Sequence, residues 1–208
     1  NDYIDDLGHR LAVAGPDKYQ RFNFFVVKDN TINAFAMPGG VIGVHTGLLL
    51  AARSESEVAG VLGHEIGHVV QRHLARMLAK QKNDSVISMA TMALALLAAR
   101  SNPQLTSGAL VASGASAIQK QIDYTREHER EADRVGLQIM ADAGFDTRAM
   151  PSFFETLQKG TRFSEGSAPA FLRTHPFTVE RIADVRNRVE QQTSFRIAQE
   201  SPDFYFIK

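Results

Sequence analysis

The sequence predicts an α+β fold, mostly helical, with a small antiparallel β-sheet. Two patterns carry that expectation. Three β-type runs lie between residues 22 and 45, where turn signals separate them. Beyond residue 54, apolar residues recur at helical spacing through most of the chain. The composition suits one domain with a substantial core: 208 residues, 44% hydrophobic and 22% charged.

In chain order, residues 1–15 read as an amphipathic helix closed by Gly15-Pro16. Runs 22–27, 32–36 and 41–45 follow, with turn signals at Asp29-Asn30 and Pro38-Gly39-Gly40, which predicts an antiparallel meander. A short helix is expected over 46–52. Ser54 is a helix N-cap with Glu57 as its capping-box partner, and the periodicity of Val58, Val61, Leu62, Val69, Leu74 and Leu78 carries that helix to about residue 80. Residues 84–122 are rich in Ala, Ser, Met and Leu and are interrupted at Asn102-Pro103, so they read as two helices or as a helix and a mobile segment. Further helices are expected over 123–143, stopping at Gly144, and near 147–158 and 178–192, with a loop over 160–176. An edge strand is expected at 204–207. No repeat or linker divides the sequence, which predicts one domain over 1–208, with 84–122 as a lid or membrane-contacting segment.

Charge narrows the function. Lys plus Arg (23) equals Asp plus Glu (23), so no global field favours nucleic acid. With no cysteine, thiolate chemistry is excluded and any metal must use His and carboxylates. The most apolar run, 86–99, is shorter than the roughly 20 residues that span a bilayer, and predicts a buried or interfacial helix. The start of the chain shows no basic segment followed by an apolar core, which leaves targeting open.

The chemistry-bearing string is His64-Glu65-Ile66-Gly67-His68. Two histidines four apart on a helix lie one turn above each other, about 40° apart around the axis, and can share one tetrahedral ion. Glu65 is offset, so it can face the water such an ion would carry and act as a general base. This is the HExxH pattern of zinc metalloproteases. Gly63 and Gly67 each cost about 1 kcal/mol in a helix interior, which suggests close approach by another element. A zinc site needs a third protein ligand. In the helix over 123–143 the apolar face is Ala132, Val135, Gly136, Ile139, Met140 and Ala143. Glu129, seven residues before Gly136, lies about 20° from it around the axis, whereas Glu127 and Glu131 point away. Periodicity selects Glu129 as the inward carboxylate, with Asp133 one turn later as acceptor for an imidazole N–H.

At this point the chain resembles the M48 peptidases, the Ste24/HtpX/Oma1 group, which pair HExxH with a downstream ExxxD, here Glu129-Arg130-Glu131-Ala132-Asp133. Asn33-Ala34-Phe35-Ala36-Met37-Pro38-Gly39-Gly40, continuing to Val44-His45-Thr46-Gly47-Leu48, resembles the strand and turn before the active helix. Leu172-Arg173-Thr174-His175-Pro176 with Arg181 resembles the family's HP…R segment. The resemblance implies a zincin-like (gluzincin) metalloendopeptidase domain with one zinc ion per chain, held by His64, His68 and Glu129, and Glu65 as general base. Asn33, Ala34, Phe35 and Ala36 would pair with an extended substrate backbone. His175 would either stabilise the oxyanion or, as in soluble periplasmic members, take zinc's fourth position. Arg181 would contact the substrate carbonyl or brace the His175 loop. The implied substrate is unfolded or misassembled cell-envelope protein, and the implied location the bacterial periplasm or envelope, peripheral rather than multi-spanning, with outer-membrane assembly factors as partners. A chaperone-like binding module retaining a zinc protease fold is the alternative, and another zinc hydrolase such as an amidase a third. Of the other histidines, His73 is expected to point away from the metal and His128 to be exposed or to support a ligand. His9 and His45 are expected to be structural.

Overall fold

A computed structural model describes residues 1–99, 103–163, 169–192 and 200–207. The described residues pack as two units, Asn1–Gln71 with Glu129–Lys208, and Arg72–His128.

In the first unit, α1 (Asp2–Ala14) buries Ile4, Leu7, Gly8 and Leu11, the spacing that puts one helix face inward. Strands β1 (Asn23–Val27), β2 (Ala34–Met37) and β3 (Val41–His45) form one sheet in the order β1-β3-β2. β2 and β3 are antiparallel, joined through Gly39 and Gly40, whose φ values of 87° and 82° only glycine adopts readily. β1, however, runs parallel to β3, so the sheet is mixed where a meander is expected. The cause lies in Asp29. Its N–H donates to Thr46 Oγ1 (3.1 Å), and its carbonyl accepts from Thr46 Oγ1 (2.7 Å) and Gly47 N–H (2.9 Å). These bonds hold the end of β1 beside the end of β3, and no tight β1–β2 hairpin closes.

Helix α2 (Thr46–Ala51) leads to α3 (Glu55–Val70), buried from Glu55 to Gly67. Ser54 caps it by accepting the Glu57 N–H, while the Glu57 carboxylate turns back to the Arg53 N–H at 2.6 Å. The helix ends ten residues earlier than its apolar spacing predicts, because Arg72 takes a left-handed φ of 54°. The later residues form α4 (His73–Ala99).

Helix α5 runs unbroken over Pro103–Asp142, where the sequence suggested separate pieces. Pro103 stands at its first position, which tolerates proline, and no proline interrupts the rest. It stops as expected at Gly144 (φ 81°), with Phe145 N–H on Met140 O and Gly144 N–H on Ala141 O closing the last turn. Then come α6 (Ala149–Phe163), α7 (Ala170–Thr174), α8 (Val179–Glu190) and α9 (Pro202–Ile207). The last is helical rather than an edge strand: Pro202 opens it and Phe204 anchors it in the core.

The second unit pairs α4 with the part of α5 up to His128. His73 and His128 are both buried and stack at 4.2 Å, so His128 does not have the exposed position that was one of its two expectations. Val86, Ile87 and Met89 are exposed, and no helix among the described residues is long and apolar enough to cross a membrane. The side chains of 91–118 lie outside the described residues, as does part of the loop expected over 160–176.

Candidate metal centre

The site begins where α3 meets residues 129–142 of α5. A Cβ on Gly67 would stand 2.8 Å from Ala132 O, and one on Gly136 would stand 2.8 Å from His64 N. Glycine at 63, 67 and 136 therefore lets the two backbones touch, the close approach that Gly63 and Gly67 foretold. The contact drops Glu129 and Asp133 onto the histidine face of α3.

His64 Nε2 lies 3.0 Å from His68 Nε2, 3.3 Å from His175 Nδ1 and 3.5 Å from Glu129 Oε2. Glu129 Oε1 lies 3.4 Å from His68 Nε2 and 3.2 Å from His175 Nδ1. The four residues' donor atoms all fall within 4.8 Å of one another. In a tetrahedral site with bonds of about 2.0–2.2 Å, neighbouring donors stand roughly 3.3–3.6 Å apart. The five edges given, 3.0–3.5 Å, are close to those, so the residues fit a small tetrahedral cation.

Tautomers agree. His64 Nδ1–H donates to Asp133 Oδ1 at 2.8 Å, which leaves the Nε2 lone pair of the neutral ring facing the other donors. Arg181, 3% exposed, grips Asp133 through Nε and Nη2 (Nη2–Oδ1 2.8 Å) and Glu129 through Nη1 (2.6 Å). Its Nη1 also donates to Pro176 O at 3.3 Å, and its guanidinium lies over the Phe177 ring at 4.9 Å. Contacts of this kind would brace the loop that carries His175.

Charge follows these contacts. Burial alone would raise the Glu129 carboxyl, but the Arg181 charge and the three histidines hold it well below the usual range. Asp133 is likewise held down by Arg181 against the effect of burial. Burial opposes charge on His64, yet its bonds to Asp133 and Glu129 push its pKa up to about 9. Burial lowers His68. Two ionised carboxylates thus face three imidazoles, and a cation entering here displaces a proton from His64.

Glu65 lies beside the four donors. It is 1% exposed, and its Oε1 is buried without a hydrogen-bond partner, 3.4 Å from His175 Nε2 but off hydrogen-bonding geometry. His175 caps α7 and packs against the Phe171 ring at 4.7 Å. Ala34, Phe35 and Ala36 lie on β2, an edge strand of the sheet that packs on α3, and Asn33 directly precedes it. His45 accepts or donates at Thr31 Oγ1 (2.9 Å), and His9 sits at Asp5 O on α1, both in structural roles. Sequence reading missed Phe171, whose ring packs beside both His175 and His64; its only signal was its place four residues before His175.

The model of peptidase family M48 matches residues 1–189. The chain belongs to peptidase family M48. Among M48 relatives, it is 46% identical over 198 residues to a Vibrio cholerae protein provisionally named a β-barrel assembly-enhancing protease (95% of this chain, 41% of that protein). It is 39% identical over 206 residues to the β-barrel assembly-enhancing protease of Escherichia coli K12 (99% and 42%). It is 35% identical over 151 residues to the mitochondrial metalloendopeptidase OMA1 of Arabidopsis thaliana (73% and 28%). The chain thus spans less than half the length of these relatives.

Proposed function

We propose that this chain is a zinc-dependent endopeptidase domain acting on extended or unfolded cell-envelope polypeptides, its site closed at rest by His175. The carrying observation is four donor atoms within 4.8 Å of one another, with Glu65 beside them, its Oε1 buried without a hydrogen bond. Nitrogen and carboxylate donors in that geometry, with no cysteine, suit zinc, one ion per chain. His64, His68 and Glu129 would hold it. Bound there, zinc supplies a Lewis acid for the scissile carbonyl and lowers the pKa of water toward neutrality.

The chain's own residues do the rest. Glu65 takes a proton from the attacking water and passes it to the leaving amine. Asp133 keeps the His64 tautomer, and Arg181 keeps both carboxylates ionised and placed. The outer edge of β2 pairs with substrate backbone by strand addition. His175 Nδ1 fills the fourth direction of the donor set, so water enters only when α7 withdraws; the same ring, displaced, is then close enough to serve the oxyanion. The bacterial relatives' names, which refer to β-barrel assembly, support a periplasmic setting, misassembled envelope proteins as substrates and assembly factors as partners. The segment over 84–122 serves as a lid or a peripheral membrane contact of a single peptidase domain.

Glu65→Gln tests the mechanism. It is expected to keep one zinc per chain and to lose cleavage of casein by at least about a hundredfold. Unchanged cleavage with zinc bound would remove Glu65 from its role.

A further inference from the structure

The register of the sheet shows which backbone groups of β2 a substrate could reach. His45 N–H donates to Asn33 O at 3.0 Å, and Ala34 pairs with Val44, Phe35 with Gly43 and Ala36 with Ile42. In an antiparallel ladder, opposed residues alternate between bonded and non-bonded pairs. Asn33, Phe35 and Met37 therefore bond inward to β3. Ala34 and Ala36 turn their N–H and C=O groups to the outer edge, and the carbonyl of Ile32 continues that row.

The Ile32 carbonyl already has a partner, the Phe171 N–H of α7, at 3.1 Å. The Phe171 carbonyl in turn accepts the His175 N–H at 2.8 Å. Two hydrogen bonds in series thus run from the substrate edge to the backbone of His175. The Phe171 ring, fully buried, reinforces the link by packing on both His175 and His64.

We infer that Phe171 is a positioning residue that occupies the first rung of the substrate edge, so a polypeptide long enough to pair at Ile32 must displace it and draw His175 off the donor cluster. This rests on the strand-addition reading above and deepens it. Short peptides satisfy the Ala34 and Ala36 rungs and leave α7 seated. An extended chain continuing past Ala34 competes for the Ile32 carbonyl, and α7, one turn long, has few backbone bonds with which to resist. The closed site then selects long unfolded segments over short peptides without a separate sensor.

The test is residue-resolved amide hydrogen exchange by NMR on zinc-loaded Glu65→Gln protein, which binds without turnover. The probes are a 4-residue and a 16-residue synthetic peptide of the same extended sequence at saturating concentration. The long peptide is expected to slow exchange at Ala34 and Ala36 and to speed it at Phe171 and His175 by about tenfold or more. The short one is expected to slow Ala34 and Ala36 only. Slowed Ala34 and Ala36 with unchanged Phe171 under the long peptide would overturn the latch and leave strand addition standing. Release of Phe171 by the short peptide would also overturn it, since the Ile32 rung would not be what is contested. No change at Ala34 and Ala36 with either peptide would overturn strand addition and the latch with it.

Discussion

Asp133 touches no substrate, yet it sets the chemistry of the cluster through one bond to His64 Nδ1 at 2.8 Å. Removing such an outer partner typically weakens metal affinity by about 10–100-fold, because the ring loses both its tautomer and its orientation. Asp133→Ala is therefore expected to lower zinc affinity by that factor in a competitive chelator titration; unchanged affinity would show that His64 is held by other means. At this scale much was legible. His64, Glu65 and His68 stand in one string, and Glu129 and Asp133 share a helix face with Gly136. The double grip of Arg181 on both carboxylates was not, because it joins α8 to α5 through side-chain geometry that spacing along the chain does not encode.

Among the elements, the contact of α3 with α5 matters most. It exists because Gly63, Gly67 and Gly136 carry no side chain, so backbone meets backbone at the level of the ligands. A methyl at Gly136 would meet His64 N at 2.8 Å and Gly63 C at 2.9 Å, neither of which can swing aside. Overpacking of this kind costs about 1–3 kcal/mol. Gly136→Ala is thus expected to lower the melting temperature by several degrees and to weaken zinc binding. A melt equal to wild type would mean that the helices do not need this approach. Sequence showed the glycines but not every element end. Arg72 is a good helix former, and its left-handed φ, which ends α3, leaves no mark in the residue pattern. The mixed sheet was hidden for a similar reason: Asp29 chooses Thr46 and Gly47, partners that local turn signals do not reveal.

Across the whole molecule, the buried charge at the centre ties folding to pH. Glu129 and Asp133 titrate below their ordinary values of 4.5 and 3.8, chiefly because Arg181 offsets their burial. For a depressed carboxyl, the stabilisation is complete above the unfolded value and is lost as pH falls through the folded one. Denaturant unfolding of chelator-treated protein should therefore show stability falling below about pH 4 as these carboxylates protonate, and falling again as pH rises from about 6.5 toward 9, where His64 gives up its proton. Arg181→Gln is expected to flatten the acid fall, since its carboxylates no longer lie below the unfolded values. An equally steep acid limb in the variant would place the source of the linkage elsewhere. Four motifs in order made the family legible at this scale, whereas the division of described residues into two units did not show in composition.

Zinc K-edge X-ray absorption of the resting protein addresses the centre most directly. A cluster closed by His175 predicts one zinc per chain bound by three imidazoles and one carboxylate, with donors at about 2.0–2.2 Å. Two imidazoles and a carboxylate with solvent in the remaining position would contradict the closed site, and a protein that retains no stoichiometric zinc would contradict the metal centre itself.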